Sequence, residues 1–316
     1  MLTVRLFGTL QVEQDEQALE SLRTGKVQEL FCYLLMHREH VHAREVLAGK
    51  LWPECTTAHS RKHLRQTLWR LQSALRSGLN VHDPILTVSP GSVQLNGADA
   101  IWSDVFIFES AFIRAKALAA RPMDSDDANV LREAVQLYRG DLLEGWYHDW
   151  CLFERERLQN CYLLMLNQLL AYCCKHGQYQ HGLEYGERVL RLDRAHEVTH
   201  QQLMQLHYQC GNRMAALRQF ERCAAALKEE LDVLPSQTTL RFYEQIQHDC
   251  SGRPPTPGLS LPADSRPSGV LRCLETLLGI ISKVEDQITS IESEILKQMQ
   301  ALKAESTDGS SARREG

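Results

Sequence analysis

The chain has 316 residues, a hydrophobic fraction of 43% and a formal net charge of −5, which is typical of soluble globular proteins with two or three domains. Neither a long apolar run nor a signal-peptide pattern is present, so we expect no membrane span and a cytoplasmic location. The ten cysteines are scattered without a CxxC pair. This spacing argues against a zinc site and favours small buried side chains in a reducing compartment.

The first hundred residues combine strand-like and helical patterns. Residues 2–12 alternate and are predicted to form a strand. Helical periodicity follows at 26–36, 43–51 and 57–77. Pro53 ends the second of these helices and Gly78 the third. The runs ILTV and SVQLN, joined by SPG, predict a hairpin. Strands, three helices and a hairpin are the layout of a winged helix-turn-helix, assigned to residues 1–98, here called the N-terminal domain.

The third helix, HSRKHLRQTLWRLQSALRSGL, contains only basic charges. No acidic residue occurs between Glu54 and Asp83, although the chain as a whole is acidic. Its leucines share one face, at Leu64, Leu68, Leu71 and Leu75. Lys62, Gln66 and Arg70 lie four residues apart on another face, with Thr67 beside them. A core stripe backed by a polar basic stripe is what a recognition helix needs in order to reach bases and phosphates.

The chain from residue 101 to about 248 is almost wholly helical in pattern and contains an internal repeat. GQYQHGLEYGERVLRLD and GNRMAALRQFERCAAAL begin at Gly177 and Gly211, an offset of 34 residues. This is the period of tetratricopeptide repeats, helix pairs that stack on their neighbours. Residues 100–248 are therefore predicted to form a tetratricopeptide-like domain, here called the repeat domain, which makes the fold mainly α.

The C-terminal part has a different composition. Residues 251–270 are rich in Pro, Ser and Gly and are predicted to be a linker. A heptad pattern follows over 271–304, which predicts a coiled coil and a homo-oligomer. A helix that packs back on its own chain is the alternative. Residues 305–316 are predicted to be a disordered tail.

These segments resemble a known family. KVQELFCYLLMHREHVHAREVLAGKLWPE, HSRKHLRQTLWRLQSAL and the helical block from GDLLEGWYHDWCLFERERL to KEELDVLPSQ are similar to the bacterial SARP-type regulators. Those proteins combine an OmpR-like winged helix with a bacterial transcriptional activation domain. The resemblance covers about residues 1–248. It implies a transcriptional regulator, with activation as the expected output, that binds double-stranded promoter DNA and contacts RNA polymerase or another regulator protein.

The resemblance also implies which side chains contact DNA. The contacts of the family's recognition helix fall on Lys62, Gln66, Thr67 and Arg70, in register with the leucines. Arg61, Lys62 and Arg70 are expected to attract phosphates or contact guanine, and Gln66 or Thr67 to read base edges. Two departures stand out. Trp69 occupies a position that is often basic, and the hairpin carries no Lys or Arg.

Other motifs carry less chemistry. The histidines of HREHVH, at 37, 40 and 42, have no metal-ligand spacing and are expected in a surface loop. Trp146, Tyr147 and Trp150 are expected to pack the first repeat helices together, with a peptide-binding pocket as the alternative. No catalytic set and no glycine-rich phosphate loop occurs, so we expect neither an enzyme nor a cofactor. The competing function is a protein-interaction adaptor whose winged helix does not read DNA.

Overall fold

The computed structural model describes residues 2–14, 17–19, 22, 25–78, 85–96, 100–118 and 121–248. The described residues all belong to one compact unit, Met1–Pro254. The predicted linker, coiled coil and tail lie outside the described residues.

Among the described residues, strands and helices alternate up to Ser103, and helices follow. The strands are β1 (Leu2–Arg5), β2 (Gln11–Gln14), β3 (Gln17–Ala18), β4 (His42–Ala43), β5 (Leu86–Val88), β6 (Ser92–Leu95) and β7 (Ile101–Ser103). The helices of the N-terminal domain are α1 (Gly25–Met36), α2 (Arg44–Leu51) and α3 (Thr57–Gly78). The helices of the repeat domain are α4 (Asp104–Ala117), α5 (Ser125–Leu137), α6 (Asp149–His176), α7 (Tyr179–Leu192), α8 (Glu197–Gln209), α9 (Arg213–Leu231) and α10 (Gln237–His248). The expected mainly α fold, with a winged helix-turn-helix before tetratricopeptide-like helices, is confirmed.

The N-terminal sheet has the strand order β3-β2-β1-β7. The single strand predicted over 2–12 is two strands, because Gly8 adopts a φ of +84° and turns the chain. After that turn β2 runs antiparallel to β1, with Val4 opposite Val12. On its other side β1 pairs in parallel with β7. Because β7 leads directly into α4, this sheet joins the N-terminal domain to the repeat domain.

A second sheet, in the order β4-β6-β5, forms the wing. The predicted hairpin is present as β5 and β6, which pair antiparallel from Leu86 opposite Leu95 to Val88 opposite Val93. The two-residue strand β4 pairs with β6 and precedes α2 directly. The wing is therefore attached to the start of α2 through backbone hydrogen bonds.

Consecutive helices pack against each other through the repeat domain, α6 with α7 and α8 with α9 most extensively. Gly177 and Gly211, the glycines of the sequence repeat, adopt φ angles of +66° and +75° after α6 and α8. Left-handed residues of this kind end a helix and let the next one fold back. The 34-residue repeat in the sequence therefore corresponds to a repeated helix-turn-helix geometry.

Asp104, the first residue of α4, fastens the repeat domain to β1. Its buried carboxylate accepts the backbone N–H groups of Leu6 at 2.9 Å and Phe7 at 3.1 Å, and that of Val105 at 2.8 Å. Burial raises the pKa of Asp104, although these backbone hydrogen bonds favour the charged form. The carboxylate thus serves as hydrogen-bond acceptor for the backbone N–H groups that directly follow β1.

The cysteines of the described residues are all free thiols. Cys32, Cys151, Cys161, Cys173 and Cys223 are buried, as expected for small core side chains. Cys55 and Cys210 are exposed, so burial does not account for every cysteine. Within the described residues, no helix combines the length and apolar character needed to cross a membrane.

Candidate nucleic-acid interface

One side of α3 anchors the helix in the N-terminal domain. Leu64, Leu68, Leu71 and Leu75 are all buried, and α3 packs on both α1 and α2. Trp52, which follows α2, stacks on the ring of His63 with centroids 5.9 Å apart. This contact explains why the chain needs a large side chain where α2 ends. The leucine stripe predicted from the sequence is confirmed as the buried side of the helix.

The opposite side of α3 is exposed and basic. The side chains of Lys62, Gln66 and Arg70 are exposed to solvent, and so is that of Arg65. Within the described part of the chain, no carboxylate forms an ion pair with Lys62, Arg65 or Arg70. Several arginines of the repeat domain differ, for example Arg222, which donates to both oxygens of Glu187 at 2.7 and 3.1 Å. The cations of α3 are thus available to an anionic ligand.

Two of the predicted contact residues are placed differently. Arg61 is exposed but pairs with Glu45 of α2, so part of its charge is already neutralised. Thr67 is only 7% exposed and lies on the buried side with Leu68 and Leu71. An α-helix turns about 100° per residue, so Thr67 lies well away from Gln66 around the helix axis. Thr67 therefore does not join Lys62, Gln66 and Arg70 on the exposed face.

Trp69 lies in the middle of the exposed face. Its side chain is 69% exposed, and the residues one turn away, Arg65 and Ser73, are exposed too. Within the described residues, no ring stacks on the indole and no cation lies over it. From the sequence, Trp69 differed only in replacing a residue that is often basic in similar helices. Nothing in the sequence indicated that it lies in the middle of the exposed face.

The wing receives a cation that its own sequence lacks. Arg44, the first residue of α2, donates its Nη1 to the Ser89 carbonyl at 3.3 Å and its backbone N–H to the Gly91 carbonyl at 3.0 Å. The guanidinium therefore lies at the wing loop. Arg44 could not be identified from the sequence. The preceding strand β4 has only two residues, too few to show an alternating pattern, and the pairing of β4 with β6 is a long-range contact.

The histidines at 37, 40 and 42 do not form a simple surface loop. The rings of His37 and His42 lie 4.5 and 5.4 Å from the ring of Tyr33, and His42 Nε2 is 3.1 Å from the His37 carbonyl oxygen. Burial is the main cause that lowers the pKa of His37 to about 4, and it also lowers that of His42. The described residues contain no cluster of ligands suited to a metal ion. His37 and His42 pack α1 against the start of the wing sheet, whereas His40 is exposed as expected for a surface loop.

Of the aromatic residues around the start of α6, Trp150 contacts the N-terminal domain. Trp150 packs edge-on against Tyr33 of α1 with centroids 5.4 Å apart. Trp146 lies edge-on to Trp150 at 6.4 Å, whereas Tyr147 is exposed. The expected packing between repeat helices is therefore not what Trp150 provides: it packs on α1 of the N-terminal domain, and Trp146 packs on Trp150.

Comparison with known proteins identifies a matching domain family and similar regulatory proteins. The family model "Bacterial transcriptional activator domain" matches residues 103–247. The transcriptional regulatory protein MoaR1 of Mycobacterium bovis and that of Mycobacterium tuberculosis are each 25% identical over 229 residues, which cover 71% of this chain and 73% of theirs.

A solved structure has a similar fold. Mycobacterium tuberculosis EmbR, solved in complex with a low-affinity phosphopeptide, aligns with a TM-score of 0.59 at 20% identity. The alignment covers 78% of this chain and 65% of the EmbR chain. At this identity the likeness concerns the fold alone. The matched activator domain and the two regulatory relatives thus make this chain similar to bacterial transcriptional regulators of the SARP type.

Proposed function

We propose that this regulator binds promoter DNA in a sequence-specific way through the exposed face of α3. Residues 1–98 are the DNA-binding domain in this proposal, and residues 100–248 contact protein partners. The observation that carries it is the basic face of α3, opposite its buried leucines, in a chain of net charge −5. Lys62, Arg65 and Arg70 on this face have no ion-pair partner among the described residues. An acidic protein that concentrates unneutralised cations on one helix has a surface suited to a polyanion.

The geometry supports a division of roles along this face. Arg70 and Lys62 are long enough to reach phosphates or the O6 and N7 atoms of guanine, and the Gln66 amide can pair with the N6 and N7 atoms of adenine. Arg44 at the wing loop would contact the phosphate backbone beside the groove. Arg61, paired with Glu45, would contribute to binding less than Lys62 or Arg70. Thr67, because it is buried, would act through packing.

Activation of transcription requires a second surface, which we place on the repeat domain. Tyr147, Leu152 and Phe153 are exposed apolar side chains at the start of α6. Apolar side chains grouped on a surface commonly mark protein-binding sites. RNA polymerase or another regulator in the cytoplasm is the proposed partner. Residues 271–304 are proposed to multimerise the chain through the heptad pattern of their sequence.

The experiment that tests DNA reading is selection of bound duplexes from a random library with the full-length chain. The informative variant is Lys62→Ala combined with Arg70→Ala. The matched control removes two other exposed cations, Arg139→Ala with Lys175→Ala, which lie in the repeat domain. We expect an enriched motif with the natural chain and the control, and its loss with the α3 variant.

The salt dependence of binding gives an independent readout. Each cation that neutralises a phosphate contributes about 0.9 to the slope of log K against log salt. The α3 variant should therefore lose up to about 1.8 in slope, while the control keeps the slope of the natural chain. If no duplex is enriched even at low salt, a protein-interaction adaptor becomes the better explanation. The repeat domain would then be the surface that binds the partner.

A further inference from the structure

Trp69 is a large apolar side chain at the centre of an otherwise polar and basic helix face. It is 69% exposed, while every leucine of α3 between residues 64 and 75 is buried. The core therefore does not need the indole, since α3 packs on α1 and α2 through its opposite side. An exposed Trp of this kind is accounted for if a ligand covers it.

The position of Trp69 restricts what that ligand is. By helical geometry, Lys62, Gln66 and Ser73 lie within about 60° of Trp69 around the helix axis, and all three are on the solvent side. Any ligand that reaches the bases through Gln66 also meets the indole. A protein partner on the same face would have to bury Lys62 and Arg70, which have no carboxylate partner in the described residues.

Within the major groove the base edges present hydrogen-bonding groups, with one apolar exception. This exception is the C5-methyl group of thymine, which proteins contact with apolar side chains. An indole offers more apolar area than any other side chain that α3 exposes, and it can cover a methyl group without a charge of its own.

We propose that Trp69 is a specificity-determining residue that packs on thymine methyl groups in the major groove. This inference rests on the proposed DNA-binding function. The contact selects thymine at the positions that the indole reaches, while Lys62 and Arg70 hold the helix against the phosphates. Trp69 adds no charge, so it changes the preference for sequence without changing the salt dependence of binding.

The test replaces thymines of a selected duplex one at a time by deoxyuridine, which lacks only the C5-methyl group. Burying one such group corresponds to roughly 0.8 kcal/mol, or about a fourfold change in Kd. With the natural full-length chain we expect a loss of about fourfold at one or two thymines. The Trp69→Ala variant should bind the thymine duplex more weakly and should no longer distinguish thymine from uracil at those positions.

Ile113→Ala serves as the matched control, because Ile113 is 69% exposed on α4 and outside α3. It should keep the affinity and the response to uracil of the natural chain. The uracil scan on the natural chain needs no variant, so the inference stays testable even if Trp69→Ala folds poorly.

Two results overturn the inference alone while DNA binding itself stands. One is an unchanged Kd for the natural chain at every uracil position. The other is a Trp69→Ala variant that keeps the full response to uracil, which would assign the methyl contact to another side chain. Absence of any bound duplex with the natural chain would instead overturn the proposed function and this inference together.

Discussion

The Arg38 guanidinium donates to the Glu109 carboxylate at 3.0 Å and thereby joins the turn after α1 to helix α4. Glu109 also accepts from Arg157 of α6 at 2.6 Å, and Arg157 donates to Glu154 at 2.7 Å. Arg38 is further held over the ring of Phe106. This chain of charges crosses from the N-terminal domain into two repeat helices, so it helps to fix how the N-terminal domain is held against the repeat domain.

Removal of Glu109 should destabilise the protein, because the guanidinium groups of Arg38 and Arg157 would lose their shared partner. The Arg38 and Glu109 side chains are 19% and 17% exposed. We expect Glu109→Ala to lower the free energy of unfolding by about 2–3 kcal/mol, near the lower limit for a broken buried pair because the pair is not fully buried. Urea unfolding followed by circular dichroism measures the change. Glu156→Ala, at an exposed site on α6, should stay within about 0.5 kcal/mol of the natural chain.

Asp127 should make the repeat domain sensitive to acid. Its fully buried carboxylate is bound by Arg121 at 2.7 Å and Arg114 at 2.6 Å. The hydrogen bonds from Arg121, assisted by Arg114, hold the pKa of Asp127 well below its usual value. A carboxyl group with a lowered folded-state pKa stabilises the fold above its unfolded pKa, near 4, and this stabilisation is lost as the pH falls further.

The variant Asp127→Asn isolates this contribution. It should be less stable than the natural chain at pH 7, by roughly 1.5–3 kcal/mol for the lost charged hydrogen bonds. The difference should shrink as the pH falls below about 4. Chemical unfolding at a series of pH values provides the measurement. Asp126→Asn, at an exposed neighbour in the same helix turn, should cost no more than about 0.5 kcal/mol. A constant difference between pH 7 and pH 3 for Asp127→Asn would contradict the explanation.

Gly186 allows α7 to approach α8 closely. A Cβ atom at this position would lie 2.5 Å from Cδ2 of Leu203, so the helices would have to separate. Overpacking costs about 1–3 kcal/mol, against a gain in helix propensity of about 1 kcal/mol. We therefore expect Gly186→Ala to lower the thermal unfolding midpoint despite that gain. Gly49→Ala is the control, because nothing lies within 4 Å of its added Cβ, and it should raise the midpoint slightly.

Features with a local period were readable from the sequence. The leucine stripe of α3 repeats with the helix period, and the glycines at 177 and 211 recur with the repeat period. Both features are present in the structure, as the buried side of the helix and as left-handed turns. The hairpin was readable as well, since SPG separates two β-prone runs.

Features that depend on long-range contacts were not readable. The pairing of β1 with β7, the bonds of Asp104 and the position of Arg44 at the wing join residues distant in the chain. Thr67 shows a different limit. The buried face of α3 includes Ser60, Thr67 and Ala74 as well as the leucines. The leucine spacing alone does not show that the face is this wide. A small polar residue at its edge can lie on the buried or on the exposed side.

Residues 271–304 should increase DNA binding through avidity. Their heptad pattern predicts a multimer, and α3 offers only a few unpaired cations per chain, so a single copy should bind weakly. Linking copies raises the effective concentration of the second DNA-binding domain once the first is bound. Deletion of 271–316 should therefore raise the Kd for a duplex with two half-sites by about ten-fold or more. On a duplex with one half-site the deletion should change the Kd little.

Fluorescence anisotropy with both duplexes separates these effects, and sedimentation of the natural and truncated chains reports their oligomeric states. Equal affinity of both chains for the double site would remove the avidity argument. In that case the alternative, in which residues 271–304 pack on their own chain, would be the simpler explanation.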